Sequence, residues 1–199
     1  MDEGPGLRER KKAATRQALH EAALRLAAEH GFERVTVEAI ADAADVSRRT
    51  FSNYFSSKEE AFFHGDSARL RRMLELLRER PAGEDPWTAL GAAAEQLTAE
   101  VRGEPDPGWL ALRRRVRAHP VLLAHQVAAY TVVERELAAE IARRGPGSTA
   151  LRARVLAATF LTTLRVATQH WIEHPEGTLL AVLREALTAA APAPEHGGR

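Results

Sequence analysis

The chain has 199 residues, 45% of them hydrophobic, 6% aromatic and 28% charged, with a formal net charge of +1. That length is enough for one large or two modest domains with a real core. No apolar run approaches the roughly 18–20 residues of a membrane span, the acidic opening MDEGPG does not read as a secretory leader, and the lack of cysteine excludes disulfides and thiolate metal sites.

Ala and Leu dominate the composition, and both lose little in a helix, so a cytoplasmic all-α protein is expected. Residues 1–7 and 191–199 read as disordered tails, being terminal and rich in Gly, Pro or polar residues. A first helix is predicted from Arg8 to Glu29 or His30, with Leu19, Ala22, Ala23 and Leu26 as its buried stripe and Gly31 as its C-cap. Two very short helices follow, 37–43 behind Thr36 and 48–54 behind Ser47, because Thr and Ser are good N-caps. Ser56 with Glu59 reads as a capping box opening a longer helix that ends at Arg80, before Pro81-Ala82-Gly83.

Pro86 opens a helix to Val101 or Arg102, and Gly103 to Gly108 breaks the chain. Helices over 109–118, 120–144, 149–173 and 176–190 complete a set of about nine, with no strand. Gly145-Pro146-Gly147 and Pro175 mark the breaks between the later ones. The expected division is a helix-turn-helix domain over 8–56 and a larger helical domain over 57–190.

The stretch from Thr36 to Lys58 organises the rest. Two short helices joined by Ala44, Asp45, Val46 and Ser47 make a helix-turn-helix, whose second helix can enter a DNA major groove. Charge is distributed to match. All three lysines of the chain, Lys11, Lys12 and Lys58, lie in its first 60 residues, and residues 46–58 carry Arg48, Arg49 and Lys58 with no acid. A local rather than bulk positive charge suits a face that touches phosphates. Arg48 and Arg49 open the second short helix, where side chains reach base edges. Thr36, Thr50, Tyr54 and Lys58 are candidates for phosphate contact, and Ser52 and Asn53 share the same helix. Arg10, Lys11, Lys12 and Arg16 either follow the DNA backbone or form a solvated helix face.

The series Gly31-Phe32, Thr36-Val37, Ile40-Ala41, Val46-Ser47-Arg48-Arg49-Thr50-Phe51 and Asn53-Tyr54-Phe55-Ser56-Ser57-Lys58-Glu59 resembles the N-terminal domain of TetR-family transcriptional regulators. The match spans residues 15–63. Asp45 stands where the family usually has Gly, and Ser52 where many members carry Tyr. The resemblance implies a homodimer that binds double-stranded DNA at a palindromic operator, acts as a repressor and is released by a small hydrophobic ligand. It also implies that the last two helices form the dimer interface, through Leu151, Val155, Ala158, Thr162, Leu179, Val182, Leu183 and Ala186. Trp87, Trp109, Leu112, Val116, Tyr130, Phe160, Leu164, Thr168 and Trp171 are the candidates to line a ligand cavity.

Two other functions compete. His170-Trp171-Ile172-Glu173-His174 spells the zinc signature of one peptidase class, with Glu173 as base. Against it, Pro175 ends the helix at once and only 25 residues remain for a further ligand. A helical interaction protein without DNA binding is the other alternative, opposed by the intact Arg48, Arg49, Tyr54 and Lys58. No nucleophile triad or phosphate-cradling glycine loop is present, so no catalytic residue, metal site or cofactor is expected.

Overall fold

The structure, a computed structural model, describes residues 6–100, 107–117, 120–144 and 149–192. Among these the chain is wholly helical, with ten α-helices, one 3-10 turn and no strand. The expected tails 1–7 and 191–199 and the glycine-proline breaks near 103 and 146 fall largely outside the described residues. The helices divide into two compact units, Met1–Ala68 with Pro105–Gln126, and Arg69–Glu104 with Val127–Arg199.

The first unit begins with α1 (Leu7–His30), whose Leu19, Ala22, Ala23 and Ala27 are buried at helical spacing. Gly31 stops it at φ 81°, a backbone conformation that costs glycine little, and donates its N–H to the carbonyl of Ala27 at 3.0 Å. A 3-10 turn (Phe32–Arg34) leads to α2 (Val37–Ala43), capped by the Thr36 hydroxyl, which accepts from the N–H of Ala39. Asp45 takes φ 55° in the turn, as its place in the glycine position requires, and is the one described non-glycine residue with positive φ. Ser47 caps α3 (Arg48–Ser52). This helix ends two residues before the expected 54, because the N–H of Tyr54 bonds to Phe51 in a tighter turn.

Two expectations need correction here. The cap of α4 (Lys58–Phe62) is Ser57, whose hydroxyl accepts from Glu60 N–H, while the Glu60 carboxylate takes both the N–H and the hydroxyl of Ser56. The reciprocal logic of the capping box is present, one residue later than Ser56–Glu59. The helix expected over 57–80 is also two, α4 and α5 (His64–Glu79), separated at Phe63. Phe62 and Phe63 are both buried, with rings 5.2 Å apart at 85°, and ψ of 5° at Phe63 accommodates the adjacent pair. That break raises the helix count from nine to ten.

Ile40, Phe51, Phe55, Phe62 and Phe63 fill the centre of this unit, joined by Leu112 from α7 (Pro107–Arg117) and Leu122 from the start of α8 (Pro120–Arg144). Each such side chain contributes roughly 1.5–3 kcal/mol on burial. Arg113 of α7 grips Asp66 of α5 with a two-pronged, half-buried ion pair and lies 5.0 Å over the Trp109 ring.

The second unit holds the rest of α5 and α8 with α6 (Pro86–Ala99), α9 (Ala150–Glu173) and α10 (Leu179–Ala189). Leu76, Leu77, Leu90, Leu137, Ile141, Phe160 and Leu183 are its fully buried centre. The last helix starts at Leu179 rather than 176, because Gly177 at φ 84° leaves the helical region and Thr178 supplies the cap. Arg144 is nearly inaccessible at the end of α8, where it donates to the carbonyls of Leu77, Arg80 and Pro81 and so closes the open end of α5. Glu140 pairs with it at 3.0 Å.

Candidate nucleic-acid interface

Local rules place the recognition elements. The Ser47 hydroxyl accepts from Thr50 N–H at 3.0 Å and lies 2.9 Å from the Thr50 hydroxyl, so one serine fixes the whole first turn of α3. Phe51, buried at 1% exposure, anchors the opposite side of that turn. The remaining residues of α3 therefore face outward: Arg48, Arg49 and Ser52 are exposed and Thr50 is half-buried, and Asn53 just beyond the helix is exposed as well.

Arg48 and Arg49 differ in state. Arg48 forms an ion pair with Glu38 of α2 at 3.0 Å, both side chains being more than half exposed. Arg49 has no hydrogen-bond or ion-pair partner for its guanidinium among the described residues. Ser52 turns its hydroxyl back to the carbonyl of Arg48, 3.2 Å away. Asn53 caps the C-terminal end of α3 through its backbone N–H. Tyr54 is half-buried, with the Arg16 guanidinium 5.8 Å from its ring centre. Lys11 and Lys12 are exposed on the first turns of α1, and Thr36 is exposed at the mouth of α2.

Lys58 sits differently from the other cations. Its ammonium donates to the carbonyls of Phe32 at 3.1 Å, Val35 at 2.9 Å and Glu33 at 3.4 Å, and lies 4.6 Å over the Phe32 ring. Its three protons are thus committed to the 3-10 turn and the residue after it. A phosphate contact through this side chain requires it to leave those acceptors.

The cavity candidates do not form one group. Trp87, Tyr130, Phe160 and Leu164 belong to one apolar cluster in the second unit, with Trp87 set edge-on to Phe160 at 6.2 Å. Thr168 spends its hydroxyl on Leu164, and Trp171 donates its indole N–H to Gly177. Leu112 instead joins the core of the first unit, and Trp109 lies in that unit against Arg113. The side chain of Val116 lies outside the described residues. Phe160 is completely buried in its own core.

Among the interface candidates, Leu151 and Val155 are 72% and 55% exposed, Thr162 is exposed, and Ala158 is half-buried between them. Val166, absent from the sequence-derived set, extends the stripe at 48% exposure. It continues the same i, i+4 spacing by one turn, the signal that finds it. On α10, Leu179, Val182 and Ala186 are half-buried, but Leu183 is fully buried within its own chain. Leu183 therefore belongs to the α9–α10 core, a correction to its placement at an outer face. His170 and His174 stand 4.9 Å apart and exposed, with no group of three metal-capable side chains among the described residues.

A capped helix-turn-helix on a small aromatic core, followed by a larger all-helical unit, defines a helix-turn-helix transcriptional regulator. Residues 19–64 match the bacterial regulatory proteins of the tetR family, and residues 84–193 match the MftR C-terminal domain. The regulator TcmR of Streptomyces glaucescens is 37% identical over 175 residues, covering 84% of this chain and 77% of TcmR. MftR of Mycobacterium tuberculosis, named for mycofactocin biosynthesis, is 29% identical over 180 residues, covering 87% and 88%. Among solved structures, FadR of Bacillus subtilis, in complex with stearoyl-CoA, superposes with a TM-score of 0.59 at 18% identity, covering 90% of this chain and 99% of that one. The chain belongs to the TetR family of transcriptional regulators. It is a regulator and not an enzyme, so the His170-Glu173-His174 sequence is not a peptidase site.

Proposed function

We propose that the protein binds a palindromic operator as a homodimer, represses transcription there, and is released by a hydrophobic small molecule. The observation that carries the reading is Arg49, exposed and unbonded in the first turn of a capped, outward-facing α3. A bidentate arginine on guanine is worth about 1–3 kcal/mol of discrimination. Thr36, Thr50, Ser52, Asn53 and Tyr54, on or beside the same helix-turn-helix, add hydroxyls and an amide suited to phosphate or base edges.

A single reading head of this size binds one half-site weakly, and a two-fold dimer doubles the contacts. The apolar stripe Leu151, Val155 and Val166 on α9, flanked by Val182 and Ala186 of α10, supports the dimer. The cluster of Trp87, Tyr130, Phe160 and Leu164 supports a lipophilic effector. The long-chain acyl-CoA bound by Bacillus FadR suggests its class. Effector and operator are then linked through one coupling free energy, each weakening the other by the same factor.

Selection of bound fragments from genomic or random DNA tests this reading directly. One palindromic consensus, bound at two chains per site by light scattering, is expected. Failure to enrich any sequence would leave a helical interaction protein without DNA binding. Stearoyl-CoA added to the isolated complex is expected to release it.

A further inference from the structure

Arg16 is the one described residue with a buried side-chain nitrogen that lacks any hydrogen-bond partner, its Nε. It lies on α1 one turn before Leu19, on the face that goes on into the buried stripe. No acid occupies positions three or four residues away along the helix, where Ala13, Lys12, Leu19 and His20 stand, so α1 offers it no counter-ion. What holds it are two ring faces: the guanidinium is 5.8 Å from the ring centres of both Tyr54 and Phe55. Tyr54 follows the Asn53 cap of α3, and its hydroxyl has no partner among the described residues. Lys12 lies one turn further out on the same face of α1 and is exposed.

Four other cations of this unit are placed by acceptors: Arg25 by the carbonyl of Ala43, Arg34 by that of His30, Arg48 by Glu38 and Lys58 by three carbonyls. Among the described side chains of this unit, Arg16 alone is a half-buried cation without one. Unpaired, its shielded N–H has lost water and gained nothing, which is costly for an arginine. Because rings and not hydrogen bonds retain it, it can swing to an anion without breaking a bond. A planar guanidinium beside a phenol offers the donors that grip a phosphodiester.

We infer that Arg16 and the Tyr54 hydroxyl form a phosphate seat between α1 and the end of α3, which takes one DNA backbone phosphate per protomer. The inference rests on the DNA-binding reading above and adds a contact on α1 to those of α2 and α3. Arg16 then sets the depth at which α3 enters the groove, because its phosphate and the Tyr54 ring share one side chain.

The test measures binding of the full-length protein to its selected operator at several salt concentrations, for wild type, Arg16→Gln, Arg16→Lys and Tyr54→Phe, with a thermal melt of each. Losing one phosphate contact lowers the slope of log K against log salt by about 0.9, hence roughly 1.8 for a dimer on a palindrome. Arg16→Gln is expected to show that drop with an unchanged melt. Arg16→Lys is expected to keep the slope, and Tyr54→Phe to weaken binding at constant slope. If Arg16→Gln keeps the full slope, or loses only thermal stability, Arg16 is a brace for the two rings and the seat does not exist. Should Arg16→Gln fail to fold, a full-affinity Tyr54→Phe overturns the inference as well. A wild-type protein that binds no duplex at all overturns the DNA-binding reading itself, which separates the two failures.

Discussion

The imidazole of His20 on α1 lies against the backbone of Gly65 on α5, so closely that a Cβ on Gly65 would stand 2.7 Å from Nε2. His20 is held from its other side, where Nδ1 is 2.8 Å from the carbonyl of Ala61 and must therefore be the protonated nitrogen. The ring also meets His64 edge-on at 5.8 Å. It cannot retreat without losing a buried hydrogen bond. Gly65→Ala is therefore expected to destabilise the first unit by roughly 1–3 kcal/mol, the usual cost of overpacking. The further change His20→Ala in that background should restore part of the loss. Denaturant melts of the two single variants and the double variant check this, and simple additivity would show that the two positions do not clash.

Lys58 leads to a prediction of the opposite kind from that for an exposed cation. Three carbonyls in and just after the 3-10 turn converge on its ammonium, and hydrogen bonds to a charged group contribute about 1.5–3 kcal/mol. Lys58→Met is expected to lower the melting temperature of the reading head. Its effect on DNA should follow that loss of structure, leaving the salt slope nearly unchanged. A slope reduced by about 0.9 per protomer at unchanged stability would instead make Lys58 a phosphate contact.

The helix-turn-helix was legible in the sequence because local rules determine it. Thr36 and Ser47 cap their helices, Asp45 tolerates the turn, and apolar residues recur at helical spacing. What escaped needed information from elsewhere in the chain. The cap after α3 was ambiguous because two serines precede two glutamates, so Ser56–Glu59 and Ser57–Glu60 satisfy the same pattern. Only the fold selects the second. The destination of Lys58, 23 to 26 residues back along the chain, has no sequence signature. Leu183 and Val182 are equally apolar neighbours on a short helix, and which of them faces inward is decided by α9 and α6. The same holds for Leu112, whose apolar character fits a cavity wall as well as the core it occupies.

The exposed pair Arg48–Glu38 sets a third prediction. Such a pair contributes about 0.2–1 kcal/mol, so Arg48 is cheaply released to DNA. Glu38 itself opposes phosphates at the same face. Glu38→Gln is expected to strengthen binding to specific and random DNA alike by about two- to fivefold at low salt, fading as salt rises. A weakened affinity would mean that Glu38 orients Arg48 for its contact.

Arg49→Ala should separate reading from holding. With no partner to lose, the protein should fold as before, while operator affinity falls about tenfold or more per half-site. Affinity for random duplex should fall much less. Parallel titrations on operator and scrambled sequence decide the point, and equal losses on both would reduce Arg49 to a backbone contact.

The pair Glu140–Arg144 gives the second unit a defined acid sensitivity. Burial pushes the Glu140 carboxyl up, but hydrogen bonds from Arg143 and Arg144 outweigh it, and the group ionises below its ordinary value of 4.5. A carboxyl lowered in the folded state adds stability that is complete above 4.5 and is lost as pH falls through the lower folded value. Glu140→Gln mimics the protonated form, so it should be less stable than wild type at neutral pH, and the difference should close as pH falls through the lowered folded value. Arg144→Met is harsher. It leaves Glu140 buried with only the exposed Arg143 and the more distant Arg78 as partners and uncaps the carbonyls of Leu77, Arg80 and Pro81, for an expected loss of roughly 3–5 kcal/mol. Denaturant melts from pH 7 down to 3 on the three proteins measure both effects. A gap between wild type and Glu140→Gln that stays constant across that range would show that the lost contact is steric rather than ionic.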